Sequence, residues 1–281
     1  RSTDGLSFGL PLLIMAVGAI YSEKSGVTNL AIEGFQGFGA FIGALIAILV
    51  MSFGFIFAEV ALTNSLMTFA GGEIPIAEVT FSSILESPFV TFAPLLILIN
   101  VVSFSYLDLS GGYVKNIVGQ TKRKTDLVVS KLFVILVMNL IFMIVACLGV
   151  FLGRLATGAV IFDDMILAGL GIFAVKWLLI NAISALLLFF SNGLGNKVIG
   201  IILAVLLGTG ALNLAYIGVN TGLDALGVHG VDITGYLPSS LLGSVSAVGG
   251  ELVVNAIVSA VVVFSVFTAL TLILFKKKDV K

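Results

Sequence analysis

Lys176 stands near the middle of an apolar run from Met165 to Phe190. An ionised amine in that setting costs on the order of 2.5 to 3.5 kcal/mol on an insertion scale, so it must face a bundle interior, an aqueous path or a partner subunit. Two chemistries fit the position. One is a substrate or proton site; the other is a lysine that snorkels or pairs with a neighbouring helix, with Trp177 as an interfacial ring if the span is shifted. Asn181 lies five residues on and joins Lys176 as a candidate intramembrane polar site. Asn100 and Asn139, like Asn181 and Asn255, sit within apolar runs, where hydrogen bonding between helices is the default role of an amide.

Beyond these residues the chain offers no catalytic engine. It lacks a GxxxxGK[ST] phosphate loop, paired Cys or His at metal spacing, and a Ser, His and Asp set that could be placed together. The lone His229 falls in a Gly-rich loop beside Asp232 and reads as a solvated loop histidine. Cys147, the single cysteine, lies inside an apolar run, which excludes an intrachain disulfide and suits simple packing. No catalytic residue, metal or resident cofactor is expected of this chain, and nothing in it suits nucleic acid.

The elements that must position Lys176 are membrane helices. Of 281 residues, 59% are hydrophobic and only 10% charged, with a mean hydropathy of +1.22; a soluble domain carries about a quarter charged residues. Seven apolar runs stand out, near residues 6–21, 31–57, 89–106, 127–152, 165–190, 198–218 and 252–275. A span needs roughly 17 to 25 apolar residues, which the last six meet or approach. The first is short and holds Pro11, so it reads as a short span, a re-entrant piece or the remnant of a longer helix. Beginning at Arg1, the chain is expected to be a fragment or processed form, and its first run lacks the basic flank and small-residue cleavage site of a signal peptide. The expected fold is all-α: a polytopic integral membrane bundle of six transmembrane helices plus an extra N-terminal hydrophobic segment.

Lys and Arg counts assign sides to the loops. Residues 58–88 carry Glu59, Glu73, Glu78 and Glu86 with no basic residue, and 219–251 carry Asp224, His229, Asp232 and Glu251 with none; both are expected outside. Residues 153–164 read as a short external loop in which Arg154 alone is out of place. The Gly and Asn turn at 191–197 with Lys197, and the tail KKKDVK, are expected in the cytoplasm. Glycine pairs such as Gly39 with Gly43 and Gly149 with Gly153 permit close helix packing, although in a chain with 32 glycines they are weak dimerisation motifs.

The basic interlude at 107–131 holds five of the fourteen Lys and Arg residues: Lys115, Lys122, Arg123, Lys124 and Lys131. Positive charge between two spans marks the cytoplasmic side. Tyr113, Val114, Ile117 and Val118 would form one apolar stripe on a short helix, beside Lys115, Asn116 and Gln120. Such a stripe must be covered by lipid headgroups, by the protein's own loops or by a cytoplasmic partner.

From about Phe55 to Lys281 the order of parts resembles the permease subunits of type-2 ABC transporters, a mostly exporting superfamily that includes lantibiotic and bacitracin resistance permeases. The resemblance is carried by SYLDLSGGYVKNIVGQTKRKTDLVVSKL at 105–132, and by YLPSSLLGSV followed by one last span and FKKKDVK. It implies a domain of six spans at 55–281, with its first span beginning within 31–57. The cytoplasmic segment Gly112 to Lys124 would be a coupling helix presenting Gly112, Tyr113, Lys115, Asn116 and Ile117 to a separate ABC ATPase subunit that binds the ATP, with Lys122, Arg123 and Lys124 as its basic turn. A second permease half, the same or a related chain, would complete the path in a bacterial cell membrane, with a cytoplasmic C-terminus.

Residues 1–54 depart from that pattern, lacking the basic surface helix with which such permeases begin. PLLIMAVGAIYSEKSGVTNLAIEGFQGFGAFIGAL resembles instead the start of nucleoside and simple-sugar ABC importer permeases through Ser22, Glu23, Lys24, Ser25, Gly26, Val27, Asn29, Glu33 and Gly34. The chain thus looks like a join between two permease types near residues 50–57. The functional expectation is export of a peptide, antibiotic or lipid-like compound, the alternatives being nucleoside or sugar import and a non-transporting immunity or scaffold subunit.

Overall fold

A computed structural model describes residues 30–70, 78–90, 92–110, 125–162, 166–227, 232–246 and 251–277. It is an all-α membrane bundle with one two-stranded ladder. Two compact units are distinguished, Arg1–Ala44 and Leu45–Lys281. The described part of the first is helical. The second holds everything discussed below.

Helix α1 (Leu30–Phe69) runs unbroken through residues 50–57 and on past the expected start of a loop at residue 58. Its last turns are polar, and the hydroxyls of Thr63, Ser65 and Thr68 bond back to the carbonyls of Glu59, Ala61 and Asn64. Strand β1 (Glu78–Thr80) leads into the six-residue helix α2 (Phe81–Glu86), a 3-10 turn at Ser87–Val90, and helix α3 (Ala93–Ser110). Helix α4 (Thr125–Ala156) is followed by strand β2 (Val160–Phe162), helix α5 (Ile166–Leu188) and a π turn at Phe189–Gly193. Helices α6 (Lys197–Gly208) and α7 (Leu212–Ala225), a 3-10 turn at Ile233–Gly235, the short helix α8 (Pro238–Ser244) and helix α9 (Glu251–Lys277) complete the order.

Four helical segments are long and apolar enough to cross a membrane: Gly37–Phe69, Thr125–Ala156, Ile166–Gly193 and Leu252–Lys277. Helices α6 and α7 make a fifth crossing if their 73° bend is taken within one span. Gly210 sits at that break with φ of +70°, a left-handed conformation that glycine adopts without steric penalty. The expected run at 198–218 is therefore a broken element, whose second half continues to Ala225. The remaining run, 89–106, yields a short apolar helix, Ala93–Tyr106. At 1.5 Å per residue the 18 residues of α3 cover about 27 Å, close to a hydrocarbon core roughly 30 Å thick.

Helix α2 enters the bundle before α3. A Cβ on Gly169, in the first turn of α5, would lie 2.9 Å from Ser82 Cα, while Glu86, at the other end of α2, accepts a hydrogen bond from Lys176. Between those contacts α2 descends seven residues of α5, about 10 Å. Ser82, Ile84 and Leu85 are buried, and Ile84 packs with Ile56 and Val150. Residues 81–88 thus dip into the bundle where the charge count alone reads an external loop. The backbone allows this because a re-entrant segment surrounded by protein need not leave its polar groups in lipid.

Close approach aligns α1 with α4. A Cβ on Gly149 would meet Leu49 O at 2.7 Å, and one on Gly153 would meet Ile56 Cβ at 3.0 Å. Numbers rise together in both helices, so they run parallel, and the Gly149 and Gly153 spacing serves packing within one chain. One turn on, Arg154 Nη2 bonds Glu59 Oε2 at 3.3 Å. The cation that looked out of place in its loop is thus the last-turn residue of α4, with an acidic partner.

Strands β1 and β2 pair in parallel, Glu78 with Val160 and Thr80 with Phe162. This ladder puts the 78–90 and 157–162 connections at one end of the bundle, where α8 packs against α5, α9 and the 3-10 turn after α2. At the opposite end Val101, Leu127, Val128, Leu132, Ile135, Ala185, Leu188 and Phe275 form an apolar cluster. Lys131 belongs to that end, but it is a core residue rather than a loop cation: it is 4% exposed and donates to Ser105 O at 3.0 Å. The turn at 191–197 closes by a Leu194 N to Phe189 O bond of 3.0 Å, and Asn196 Oδ1 caps α6 by accepting from Val198 N and Ile199 N.

Candidate functional site

Polar side chains gather inside the bundle on α4 and α5 at two levels. The deeper level is an amide and hydroxyl network. Asn139 Nδ2 donates to Asn181 Oδ1 at 2.8 Å and to Ser184 Oγ at 3.0 Å, joining the two helices. Asn181 Nδ2 donates to Trp177 O, Ser184 Oγ to Ile180 O, and Trp177 Nε1 across to Leu136 O at 3.2 Å. Trp177 is therefore a half-buried bundle residue with its ring nitrogen used against α4. Asn139 Oδ1 is buried with no hydrogen-bond donor among the described residues. Burial of an unpaired acceptor is costly, so it is the strained point of the network.

Nearer the ladder end, Lys176 is 1% exposed and its Nζ lies 3.4 Å from Glu86 O. That carbonyl is the last of α2, where a helix leaves acceptors without internal donors and carries partial negative charge. Position i of a helix projects toward the N-terminal end of that helix, which for α5 is the ladder end. The ammonium is thereby aimed at α2 rather than at the Asn139 network. Cys147 of α4 is buried beside it and meets Leu85 O at a Sγ distance of 3.9 Å. Lys176, Glu86 and Cys147 thus form one cluster beneath α2.

The structure accordingly gives Lys176 and Asn181 different partners on different elements. Asn100 bonds within its own helix, to Leu96 O at 2.8 Å. Gly112, Tyr113, Lys115, Asn116, Ile117, Lys122, Arg123 and Lys124 lie outside the described residues, as do His229 and the first apolar run. Sequence reasoning missed Ser184, although its spacing of three from Asn181 on one helix was a usable signal. It also missed Glu86, whose backbone carbonyl accepts from Lys176 and whose carboxylate lies close enough to act on its charge.

On the ladder end, Asp232 gathers donors from Asn220 Nδ2 at 2.6 Å, Thr234 N at 3.0 Å and Thr234 Oγ1, while Asn220 Oδ1 accepts from Ile233 N at 3.0 Å. The Thr234 hydroxyl above all, with Asn220 and the Thr234 and Gly235 amides, holds its carboxyl below the usual aspartate value against an opposing desolvation. This fastens the α7 to α8 connection. Among the described residues no group of three or more His, Cys, Asp or Glu could hold a metal ion.

The arrangement orients polar groups within a membrane bundle, and its hydrogen bonds join α2, α4 and α5. No family model, curated protein or solved structure matches the chain.

Proposed function

We propose that this chain is the transmembrane permease subunit of an ABC transporter, exporting a peptide, antibiotic or lipid-like compound with ATP hydrolysed by a separate subunit. The observation that carries this reading is the segment between α3 and α4, whose Tyr113, Lys115, Asn116 and Ile117 follow the coupling-helix pattern of type-2 permeases. Two features of the fold support it. If α3 with its re-entrant prelude and the α6 and α7 pair each count as one crossing, the bundle has six. The described parts of the loops that carry no Lys or Arg lie at the ladder end, and in sequence the basic segments follow α3 and α9, which suits a cytoplasmic ATPase meeting 111–124 and the tail.

In this reading the ladder end faces outside and two permease halves form the path. Tyr113→Ala with Ile117→Ala removes the expected apolar stripe. The double variant is expected to insert normally and to lose its ATPase in affinity purification from mild detergent. Retention of a full complement of ATPase by that variant would overturn the coupling assignment. Import of nucleosides or sugars is the second reading, favoured by the Ser22 to Gly34 pattern alone; co-purification of a substrate-binding lipoprotein would favour it.

A further inference from the structure

Helix α2 is too short to be stable alone, since six residues cannot offset the cost of helix nucleation. It is held by four things. Thr80 caps its start, with Oγ1 accepting from Ser83 N. The ladder with β2 fixes the strand before it. Ile84 and Leu85 bury their side chains against the α1, α4 and α5 walls. Lys176 donates to its final carbonyl. Its other face is polar: Ser83 is exposed and Glu86 half-buried. A short segment with one apolar and one polar face, pinned by the ladder before it and by the Lys176 bond at its end, is placed to move as a unit.

The fastening is weak in geometry. At 3.4 Å the Lys176 contact exceeds the 2.7 to 3.2 Å of a well-formed N–H···O bond. Beneath α2 lies Cys147, buried and touching Leu85 O. We infer that α2 is a re-entrant plug latched by Lys176, and that its release opens the ladder-end half of the bundle to water down to Cys147. The Lys176 ammonium, freed from Glu86 O, would then face that water. This device rests on the contacts of α2 and not on any ATPase, so it stands or falls apart from the transport reading.

Cys147 is the only cysteine in the chain and therefore a native reporter of the plug. The full chain in lipid nanodiscs is labelled with a water-soluble maleimide, and the rate is compared with that of Lys176→Met, which keeps the side-chain volume and removes the donor. Labelling of wild type is expected to be slow. In Lys176→Met it should rise by about tenfold or more, the shift in a local opening equilibrium that follows loss of one charge-assisted hydrogen bond. Lys176→Gln, a neutral donor of shorter reach, should fall between.

Gly169→Ala supplies an independent push, because its Cβ would sit 2.9 Å from Ser82 Cα while leaving Lys176 in place; it too should speed labelling. Ala185→Cys in a Cys147→Ala background reports on the apolar cluster at the other end and should stay protected in every variant. Wild-type labelling rates in a folded Lys176→Met or Lys176→Gln protein would overturn the latch, and an unchanged rate in Gly169→Ala would overturn the plug. A parallel rise at Ala185→Cys would overturn both, since Lys176 would then be holding the whole bundle.

Discussion

The two ends of this bundle are built differently. Around Phe275 the helices are continuous, and the cluster of Val101, Leu127, Val128, Leu132, Leu188 and Phe275 is apolar, with Lys131 and Ser105 closing it by one hydrogen bond. Around Glu86 the chain is interrupted: α2 ends within the bundle, α3 begins part-way down, and α6 stops where Gly208 would place a Cβ 2.6 Å from Leu95 Cα. Every interruption leaves backbone groups that lipid cannot satisfy. Lys176 stands at one such break, with its Nζ against the last carbonyl of α2. What the difference teaches is that a broken helix can seat a buried charge, since the end of α2 gives Lys176 a backbone acceptor inside the bundle.

The largest expected effect tests the continuous end. Phe275→Ala removes a ring that is 0% exposed and should destabilise by about 3 kcal/mol or more, as truncation of a buried aromatic does. Ile84→Ala in α2, also buried at 2%, should cost nearer about 2 kcal/mol, because a short tethered helix can settle into the space left. Thermal unfolding in detergent compares the two. A larger loss for Ile84→Ala would reverse the contrast between a rigid end and a yielding one.

Gly149→Ala sharpens the same contrast at the α1 seam. The new methyl would press on a backbone oxygen at 2.7 Å, which cannot swing aside as a side chain can. A loss of about 1 to 3 kcal/mol follows from overpacking of this kind. Unchanged stability would mean that α1 slides freely along α4.

The long helices were legible because hydropathy and length report on the bilayer directly, and α1, α4, α5 and α9 each cover an apolar run. The grouping of loops by charge also matches the ladder, which joins two segments that both lack a net basic bias. Re-entry was not legible. The residues FSSILESPFV carry two serines and a glutamate before Ser87, and so read as a solvated loop until Gly169 is seen to leave room for Ser82. Lys131 misled for the opposite reason: it adjoins a basic segment in sequence but turns inward to a carbonyl of α3. The bend at Gly210 was hidden among many other glycines, none of which declares its φ angle. Of the candidate site, Lys176 announced itself as a charge in an apolar run, whereas its acceptor is a backbone atom and has no sequence signature.

The Asn139 network lies between the two ends and should show intermediate behaviour. A double-mutant cycle on Asn139→Ala and Ser184→Ala isolates one of the hydrogen bonds between α4 and α5, that from Asn139 Nδ2 to Ser184 Oγ, expected to couple by about 0.6 kcal/mol and at most about 1.7 kcal/mol. The value is modest because the amide finds other partners once the helices part. Zero coupling would place the helix contact in the surrounding Ile180, Ile183 and Met143 packing instead.

The smallest effect concerns the ladder end outside the membrane helices. The carboxylate of Asp232 accepts from Thr234, Asn220 and backbone amides, and its pKa is lowered from the ordinary value of 3.8. A depressed carboxylate contributes stability that is fully present above its unfolded pKa and is lost as pH falls through the lower folded value. The α7 to α8 connection should therefore hold its Ile233 and Thr234 amides at neutral pH and release them only in acid below the usual aspartate range. Amide exchange reads this locally, with no requirement that the bundle melt. Asp232→Asn keeps an oxygen acceptor in the same place but cannot titrate, so its protection at Thr234 should be weaker at neutral pH and flat toward acid. If the variant kept the wild-type acid dependence, the release would belong to another group, and the connection would be held by Asn220 to Ile233 alone.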